Sequence, residues 1–290
     1  MPVNADTLAY GPLDLSDREF EMFRALIFEK SGINLNEGKK ELVRTRLGGR
    51  LRKGGFRSFM EYYKYVTQDV SESELVTLLD AISTNLTSFF REANHFNYLK
   101  KNVLPDVLLR KKTDPLKEIR AWSAGCSTGE EPYSISFILL ETLESMPSMD
   151  VKLLATDLST KVLAKAARGI YTAEQVKSVP KELLPRYFDI EHINDEKFYR
   201  VGQKARGIVQ FKRFNLMTPT FPFKRKFDFI FCRNVMIYFD KPTQQTLINK
   251  FYNALAPGGH LLIGHSESLT GVQHRFKYVQ PTIYRKQEQQ

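Results

Sequence analysis

The sequence predicts an α/β protein in two parts. An all-α N-terminal domain comes first, followed by a doubly wound, Rossmann-like domain with a small β-subdomain inserted in it. Three observations predict this. Residues 15–112 read as helices with no convincing strand. From residue 119 onward, short apolar runs alternate with amphipathic helices, the pattern of a mainly parallel sheet. The first of those runs, Ile119–Ala124, leads through the glycine turn Gly125-Cys-Ser-Thr-Gly129 straight into a helix, as doubly wound proteins do where they bind a nucleotide. The expected domains are 1–88, with a linker at its end, and 89–290, with the insertion at about 171–207.

Bulk properties narrow the class. The chain has 290 residues, is 42% hydrophobic and 26% charged, and so has the composition of an ordinary globular protein. No apolar run approaches the roughly 20 residues that span a bilayer. Met1 to Leu15 lacks the basic and apolar regions of a signal peptide. The two cysteines, Cys126 and Cys232, do not form a disulfide framework. These features together point to the cytoplasm. The net charge of +10 predicts an acidic partner without naming its class.

In the helical part, Ser16-Asp-Arg-Glu19 is a capping box, followed by Phe20, Phe23 and Ile27 at helical spacing. Ser31-Gly32 ends that helix. A second helix covers roughly 37–53, with Val43, Leu47 and Leu51 as its apolar stripe and Arg46, Arg50 and Lys53 as a basic one. Residues 36–57 hold eight basic residues against two acidic ones, more than half the net charge of the chain. Such concentration on one helix favours a docking surface over a merely solvated face. Gly54-Gly55 stops the helix, and helices near 58–68, 72–83 and 94–111 follow.

In the α/β part the expected strands are Ile119–Ala124, Val151–Thr156, Ile208–Phe214, Phe227–Cys232, His260–Gly264 and Thr282–Arg285, with helices at 132–144, 160–167 and 242–255. Phe227-Asp-Phe-Ile-Phe-Cys232 is nearly all apolar, as a strand buried on both faces requires. Ala256-Pro-Gly-Gly259 closes the last helix. The polar stretch 171–207 reads as an insertion with a helical piece at 173–187 and a hairpin pairing Lys197–Val201 with Ile208–Phe211.

Ligands of such sheets bind beyond the carboxyl ends of the strands, so polar residues there are the site candidates. Gly125 and Gly129 allow a tight turn and close backbone approach. Glu130 and Glu131 stand at the helix N-terminus, where the helix dipole stabilises acids but the acids repel a pyrophosphate. A ligand with hydroxyls or positive charge and no phosphate fits better, and S-adenosylmethionine (SAM) is such a ligand. Asp157 after the second strand can accept from both ribose hydroxyls. Asn215 and Leu216 after the third offer an amide and an apolar face to an adenine. Arg233-Asn-Val-Met-Ile-Tyr-Phe-Asp240 follows the fourth. The same glycine turn matches G-x-S-x-G, a hydrolase nucleophile motif. The all-helical upstream chain and the lack of a His-Gly-Gly oxyanion segment argue against Ser127 as a nucleophile. Cys126 and Cys232 have no histidine near them in sequence. Five scattered histidines predict no metal site.

At these residues the chain resembles the CheR family of SAM-dependent methyltransferases, which esterify glutamates of bacterial chemotaxis receptors. The motifs are Ser83-Thr-Asn-Leu-Thr-Ser-Phe-Phe-Arg-Glu92, Trp122-Ser-Ala-Gly-Cys-Ser-Thr-Gly-Glu-Glu-Pro-Tyr-Ser134, Ala155-Thr-Asp157, Phe231-Cys-Arg-Asn-Val-Met-Ile-Tyr-Phe-Asp240 and Gly264-His-Ser-Glu267. The resemblance implies that Asn85, Thr87 and Arg91 belong to a linker that folds over SAM, and that Glu131 lies near its amino-acid or ribose part. It implies Asp157 as the ribose ligand and Asn215 and Leu216 as adenine contacts. Arg233, Asn234 and Tyr238 form the cluster after the fourth strand. It implies that Arg46, Arg50, Arg52 and Lys53 dock on the receptor's cytoplasmic helical bundle. In some members the β-subdomain also grips a peptide at the receptor's C-terminus. The loop reads Ala-Gly-Cys-Ser where other members have Ala-Ala-Ala-Ser, a change that leaves cofactor binding intact.

The chemistry expected is methyl transfer from SAM, leaving S-adenosylhomocysteine, to an ionised glutamate. Arg91 would orient a carboxylate and Tyr238 would hydrogen-bond the attacking one. The alternatives are a nucleic-acid methyltransferase and a non-catalytic SAM-binding adaptor. Against the first, the chain has Arg233-Asn-Val-Met where base-amino enzymes carry Asn/Asp-Pro-Pro-aromatic, and its basic helix lacks a stacking platform.

Overall fold

The computed structural model describes residues 13–146 and 148–288. It comprises two compact units that divide between Thr84 and Asn85. Among the described residues no helix is long and apolar enough to cross a membrane.

The first unit is all helical: α1 (Asp17–Ser31), α2 (Lys40–Gly54, after a 3-10 turn at Glu37–Lys39), α3 (Phe59–Gln68) and α4 (Ser73–Ile82). The capping box at Ser16 and Glu19 is formed in both directions, and Gly32 ends α1 in the left-handed conformation. Phe20, Phe23, Val43, Leu47, Leu51, Phe59, Tyr62, Leu78 and Leu79 are buried. Each fully buried large apolar side chain is worth about 1.5–3 kcal/mol before its entropy cost.

The basic helix divides its arginines between two tasks. Arg50 forks onto Glu74 at 2.7 and 2.6 Å, and the Tyr62 hydroxyl donates to the same carboxylate at 2.9 Å. Glu74 is only 6% exposed. Arg46 donates to the carbonyls of Ile82 and Ser83 and to Thr84 Oγ1, closing the end of α4. Arg52 and Lys53 are exposed. Replacing Arg50 with alanine strands a buried carboxylate, so unfolding of this unit should become easier by about 3 kcal/mol. Replacing Arg52 and Lys53 together should leave denaturant unfolding within about 0.5 kcal/mol of the parent. Chemical denaturation of the three proteins checks both.

The second unit carries a seven-stranded sheet in the order β6-β2-β1-β7-β8-β10-β9. Its strands are β1 (Glu118–Ala124), β2 (Asp150–Asp157), β6 (Val209–Arg213), β7 (Phe227–Cys232), β8 (Leu255–Ile263), β9 (Lys277–Gln280) and β10 (Ile283–Arg285). β6, β2, β1, β7 and β8 are parallel, and β10 and β9 complete the sheet antiparallel. Both faces are covered. On one, Trp122, Phe227 and Ile230 pack with Leu247, Ile248 and Phe251 of α11 (Lys241–Ala254). On the other, Ile119, Ala121, Leu153 and Phe229 pack with Ile135 and Leu139 of α7 (Glu130–Leu143) and with Phe96, Leu99 and Val103. β7 is buried at all six positions, as its apolar sequence requires. α8 (Thr160–Arg168) joins β2 to the insertion.

Four sequence expectations are corrected. The stretch 94–111 is not one α-helix. It runs as α5 (Ala93–Tyr98), a π-turn (Leu99–Val103) and α6 (Leu104–Lys111). Pro105 has no N–H to give the preceding turn, and its ring displaces the carbonyl it would meet. Ile208–Phe211 does not pair with Lys197–Val201, because Val209–Arg213 lies parallel to β2 in the main sheet. The hairpin is instead β4 (Phe188–Ile193) with β5 (Glu196–Val201), turned by Asn194 and Asp195, both at positive φ. β3 (Ile170–Thr172) adds to β5, so the insertion is a three-stranded antiparallel sheet. In its expected helical piece only α9 (Leu184–Tyr187) is α-helical, and α10 (Gln203–Gly207) leads back to the main sheet. Finally, β8 starts at Leu255, because Gly258 and Gly259 already exchange backbone hydrogen bonds with Lys286.

Candidate functional site

The loops that follow β1, β2, β6, β7 and β8 gather at the carboxyl edge of the sheet, with β1 between the two directions of winding. The loop after β1 is held by its backbone. Gly125 N–H and Cys126 N–H both donate to the carbonyl of Thr156, at 2.8 and 2.9 Å. Gly125 has φ +87°, and a Cβ there would collide with Val235. Gly129 has φ +99°, and a Cβ would meet the Tyr171 hydroxyl at 2.7 Å and Ala166 at 2.9 Å. Glycine at these two positions lets the loop pack directly against Val235, Tyr171 and Ala166.

Asp157 ties two loops together. One carboxylate oxygen accepts from Ser127 N–H and the other from Ser159 N–H, each at 2.9 Å. Ser127 Oγ donates to the carbonyl of Asn85 at 2.9 Å, which anchors the segment that leads into Thr87 and Arg91. Arg91 Nη1 donates to the carbonyl of Leu86 at 3.0 Å. Ser127 is therefore a loop tie. Cys126 and Cys232 are fully buried, and burial pushes both thiols well above their ordinary range, so neither is a nucleophile.

A buried ion-pair hub joins the loops after β1 and β7. Arg233 is 5% exposed. Its guanidinium contacts Glu131 at 3.2 Å and Glu92 at 2.9 Å, donates to the carbonyl of Arg91, and stacks over Phe96 and Phe231. Glu131 also accepts from Ser123 Oγ at 2.7 Å. Burial pushes the Glu131 carboxyl up, opposed by Arg233 and Ser123. Burial acts on Glu92 the same way, yet Arg233 and the backbone N–H of His265 hold that carboxyl below its ordinary value. Glu130 points elsewhere, accepting from Thr128 Oγ1 and Gln175.

The loop after β7 is shaped by Glu267. This carboxylate, 7% exposed, accepts the backbone N–H groups of Asn234, Val235, Met236, Ile237 and Gly264 at 2.6–3.3 Å. Burial pushes its carboxyl up, and those donors oppose the shift. The result is a left-handed Asn234 (φ +58°) and a 3-10 turn, Met236–Tyr238, with Tyr238 half-buried. After β6, Asn215 Oδ1 accepts from Met217 N–H at 2.9 Å, and Leu216 is buried in the core.

The structure thus brings Asn85, Thr87, Arg91, Glu131, Asp157, Asn215, Leu216, Arg233, Asn234 and Tyr238 onto loops of one sheet edge or onto the segment tied to them. Arg46, Arg50, Arg52 and Lys53 belong to the helical unit. The sequence left Glu92 and Glu267 without roles. Both lie in quoted motifs, but what they hold is backbone and a distant arginine, which no periodicity announces. The residues present fit SAM. Acids stand in the first helical turn, where a phosphate would otherwise bind, and Asp157 closes β2 at the same sheet edge.

The chain is similar in sequence to known proteins. The family model described as "CheR methyltransferase, SAM binding domain" matches residues 85–285, and "CheR methyltransferase, all-alpha domain" matches residues 18–83. A chemotaxis protein methyltransferase of Borreliella burgdorferi is 42% identical over 94% of this chain and 96% of its own length. One of Escherichia coli is 39% identical over 94% of this chain and 92% of its own. Chemotaxis protein methyltransferase 2 of Pseudomonas aeruginosa is 36% identical over 98% and 99%.

Proposed function

Because the chain belongs to the CheR methyltransferase family, we propose that it methylates glutamate carboxylates of chemotaxis receptors, forming glutamyl methyl esters. The observation that carries this is the match of both family domains along one chain, with relatives named chemotaxis protein methyltransferases aligned over nearly their full length. The functional division we propose is a receptor-docking helical domain and linker through residue 88, and a methyltransferase domain from 89 to 290. The protein acts in the cytoplasm on the receptor's helical bundle. Arg52 and Lys53 supply the exposed part of the docking charge, while Arg46 and Arg50 hold the helical unit in shape. The exposed edge of β4 is the proposed seat of a receptor tail peptide.

SAM supplies an electrophilic methyl group on a sulfonium. The chain's own residues bind and orient. Asp157 receives the ribose, Asn215 and Leu216 the adenine, and Glu131, fixed by Ser123 and Arg233, the amino-acid or ribose part. Asn85, Thr87 and Arg91 cover the crevice, and Arg233 and Asn234 line it after β7. The receptor glutamate has an ordinary pKa of about 4.3 and is ionised at neutral pH, so no general base is required. Opposite charges react to neutral products, so a crevice that excludes water favours the reaction. A cation gripping the nucleophile would stabilise the ground state more than the transition state. Arg91 therefore orients, and Tyr238 hydrogen-bonds the attacking carboxylate. Replacing Arg91 with alanine should raise KM for SAM or receptor about tenfold and change single-turnover chemistry much less. A loss confined to the chemical step would contradict this role.

The test of substrate class uses methyl-tritiated SAM, offered in parallel to receptor-containing membranes and to RNA and DNA. Label on the receptor supports the proposal. Label on nucleic acid would replace it with the nucleic-acid reading, and label on nothing with the adaptor reading.

A further inference from the structure

We propose that Glu92, His95 and His265 form a binding site for a divalent transition metal of the zinc class, and that filling it draws Glu92 away from Arg233 and lowers methyl transfer. Their ligating atoms all lie within 4.8 Å of one another. Glu92 Oε2 is 3.4 Å from His95 Nδ1 and 3.9 Å from His265 Nε2. Metal–ligand bonds of about 2.0–2.2 Å in a tetrahedron put donor atoms about 3.4 Å apart. One edge of that figure is already formed, and a small side-chain rotation closes the others.

The tautomer of His95 points the same way. Thr282 Oγ1 donates its proton to the carbonyl of Pro281 at 2.6 Å. The same oxygen is then the acceptor in its 2.7 Å contact with His95 Nε2. A His95 with its proton on Nε2 satisfies both contacts and leaves Nδ1 a lone pair. That nitrogen is buried, without a hydrogen-bond partner among the described residues, and faces a carboxylate oxygen. Glu92 Oε2 already accepts from Arg233 and from the backbone N–H of His265, so Nδ1 is the unsatisfied acceptor, and a cation between the two relieves it. A histidine whose second nitrogen donates to a fixed oxygen is also how proteins orient a metal ligand. His265, 49% exposed at its side chain, gives access from solvent and leaves the fourth position to water.

Arg233 sits 2.9 Å from the same Glu92 oxygen, so metal and guanidinium compete for it. Arg233 keeps Glu131 and the carbonyl of Arg91, so occupancy reshapes the hub and does not dismantle it. This competition makes the site a modest binder that senses metal rather than a structural one.

The test uses the full chain, stripped by chelator and titrated with cobalt(II) and then zinc(II), without SAM. The expected result is one cobalt per chain with visible d–d absorption, displaced by zinc. His265→Ala should weaken binding at least about tenfold, and His192→Ala, at an exposed histidine on β4, should leave it unchanged. Zinc should lower receptor methylation several-fold in the parent and not in His265→Ala. No stoichiometric cobalt binding, or equal affinity in His265→Ala, would overturn the site. Equal inhibition of both proteins by zinc would overturn the coupling. The inhibition arm rests on the methyltransferase reading. A metal-free parent without activity would sink that reading, and the absorption titration would still decide the site.

Discussion

Asp157→Ala should weaken binding of SAM and of S-adenosylhomocysteine by at least about a hundredfold. Two effects combine. Asp157 is the proposed acceptor for both ribose hydroxyls, and a hydrogen bond to a charged group is worth about 1.5–3 kcal/mol. The same carboxylate holds Ser127 N–H and Ser159 N–H, which fix the loops after β1 and β2. Losing two ligand contacts alone amounts to about 3 kcal/mol or more, and each 1.4 kcal/mol is about tenfold in affinity. Titration calorimetry with S-adenosylhomocysteine checks this. A loss of less than about tenfold in a normally folded variant would place the ribose elsewhere.

The second large effect is expected at Arg233. Arg233→Met keeps the length and the packing on Phe96 and Phe231 but leaves Glu92 and Glu131 without their shared cation. Removing one member of a buried ion pair costs about 3–5 kcal/mol. In a domain of this size that lowers the midpoint of thermal unfolding by about 10 °C. The loss has a sign in pH. Glu131 already has its carboxyl raised by burial, and without Arg233 it rises further. An acid whose folded pKa lies above its unfolded value favours the folded state in its protonated form, so stability falls as pH rises through that window. The deficit of Arg233→Met should therefore shrink as pH is lowered from neutrality toward the ordinary carboxylate range. Scanning calorimetry across that range reads it, and a deficit independent of pH would remove Glu131 from the account.

Much of the fold was legible because its signals are local. Apolar runs such as Phe227–Cys232 and the capping box at Ser16 depend only on neighbours in sequence. Asp157, Asn215, Leu216 and the cluster at Arg233 followed from one rule, that ligands bind beyond the carboxyl ends of parallel strands, whereas Asn85, Thr87, Arg91 and the role of Glu131 came from the family resemblance. What was not legible depends on the tertiary structure. Glu92 reaches Arg233 from a left-handed backbone position, φ +59°, at the start of a helix. Glu267 gathers five backbone donors from two loops, and nothing in Gly264-His-Ser-Glu267 says so. Arg46 and Arg50 read as surface charge on a helical stripe, whereas α4 brings Glu74 and its own carbonyl end against them. The hairpin at Asn194-Asp195 was different, since two residues suited to positive φ between alternating strands are a readable signal. Here the competing apolar pattern of Ile208–Phe211 drew the pairing to the wrong partner.

The proposed ester bond to a receptor glutamate is tested most directly by peptide mapping of methylated receptor by mass spectrometry before and after mild alkali. Glutamates of the cytoplasmic bundle should gain one methyl group each and lose it in alkali as methanol. Methyl groups that survive alkali, or that map to lysine, arginine or main-chain nitrogen, would contradict it.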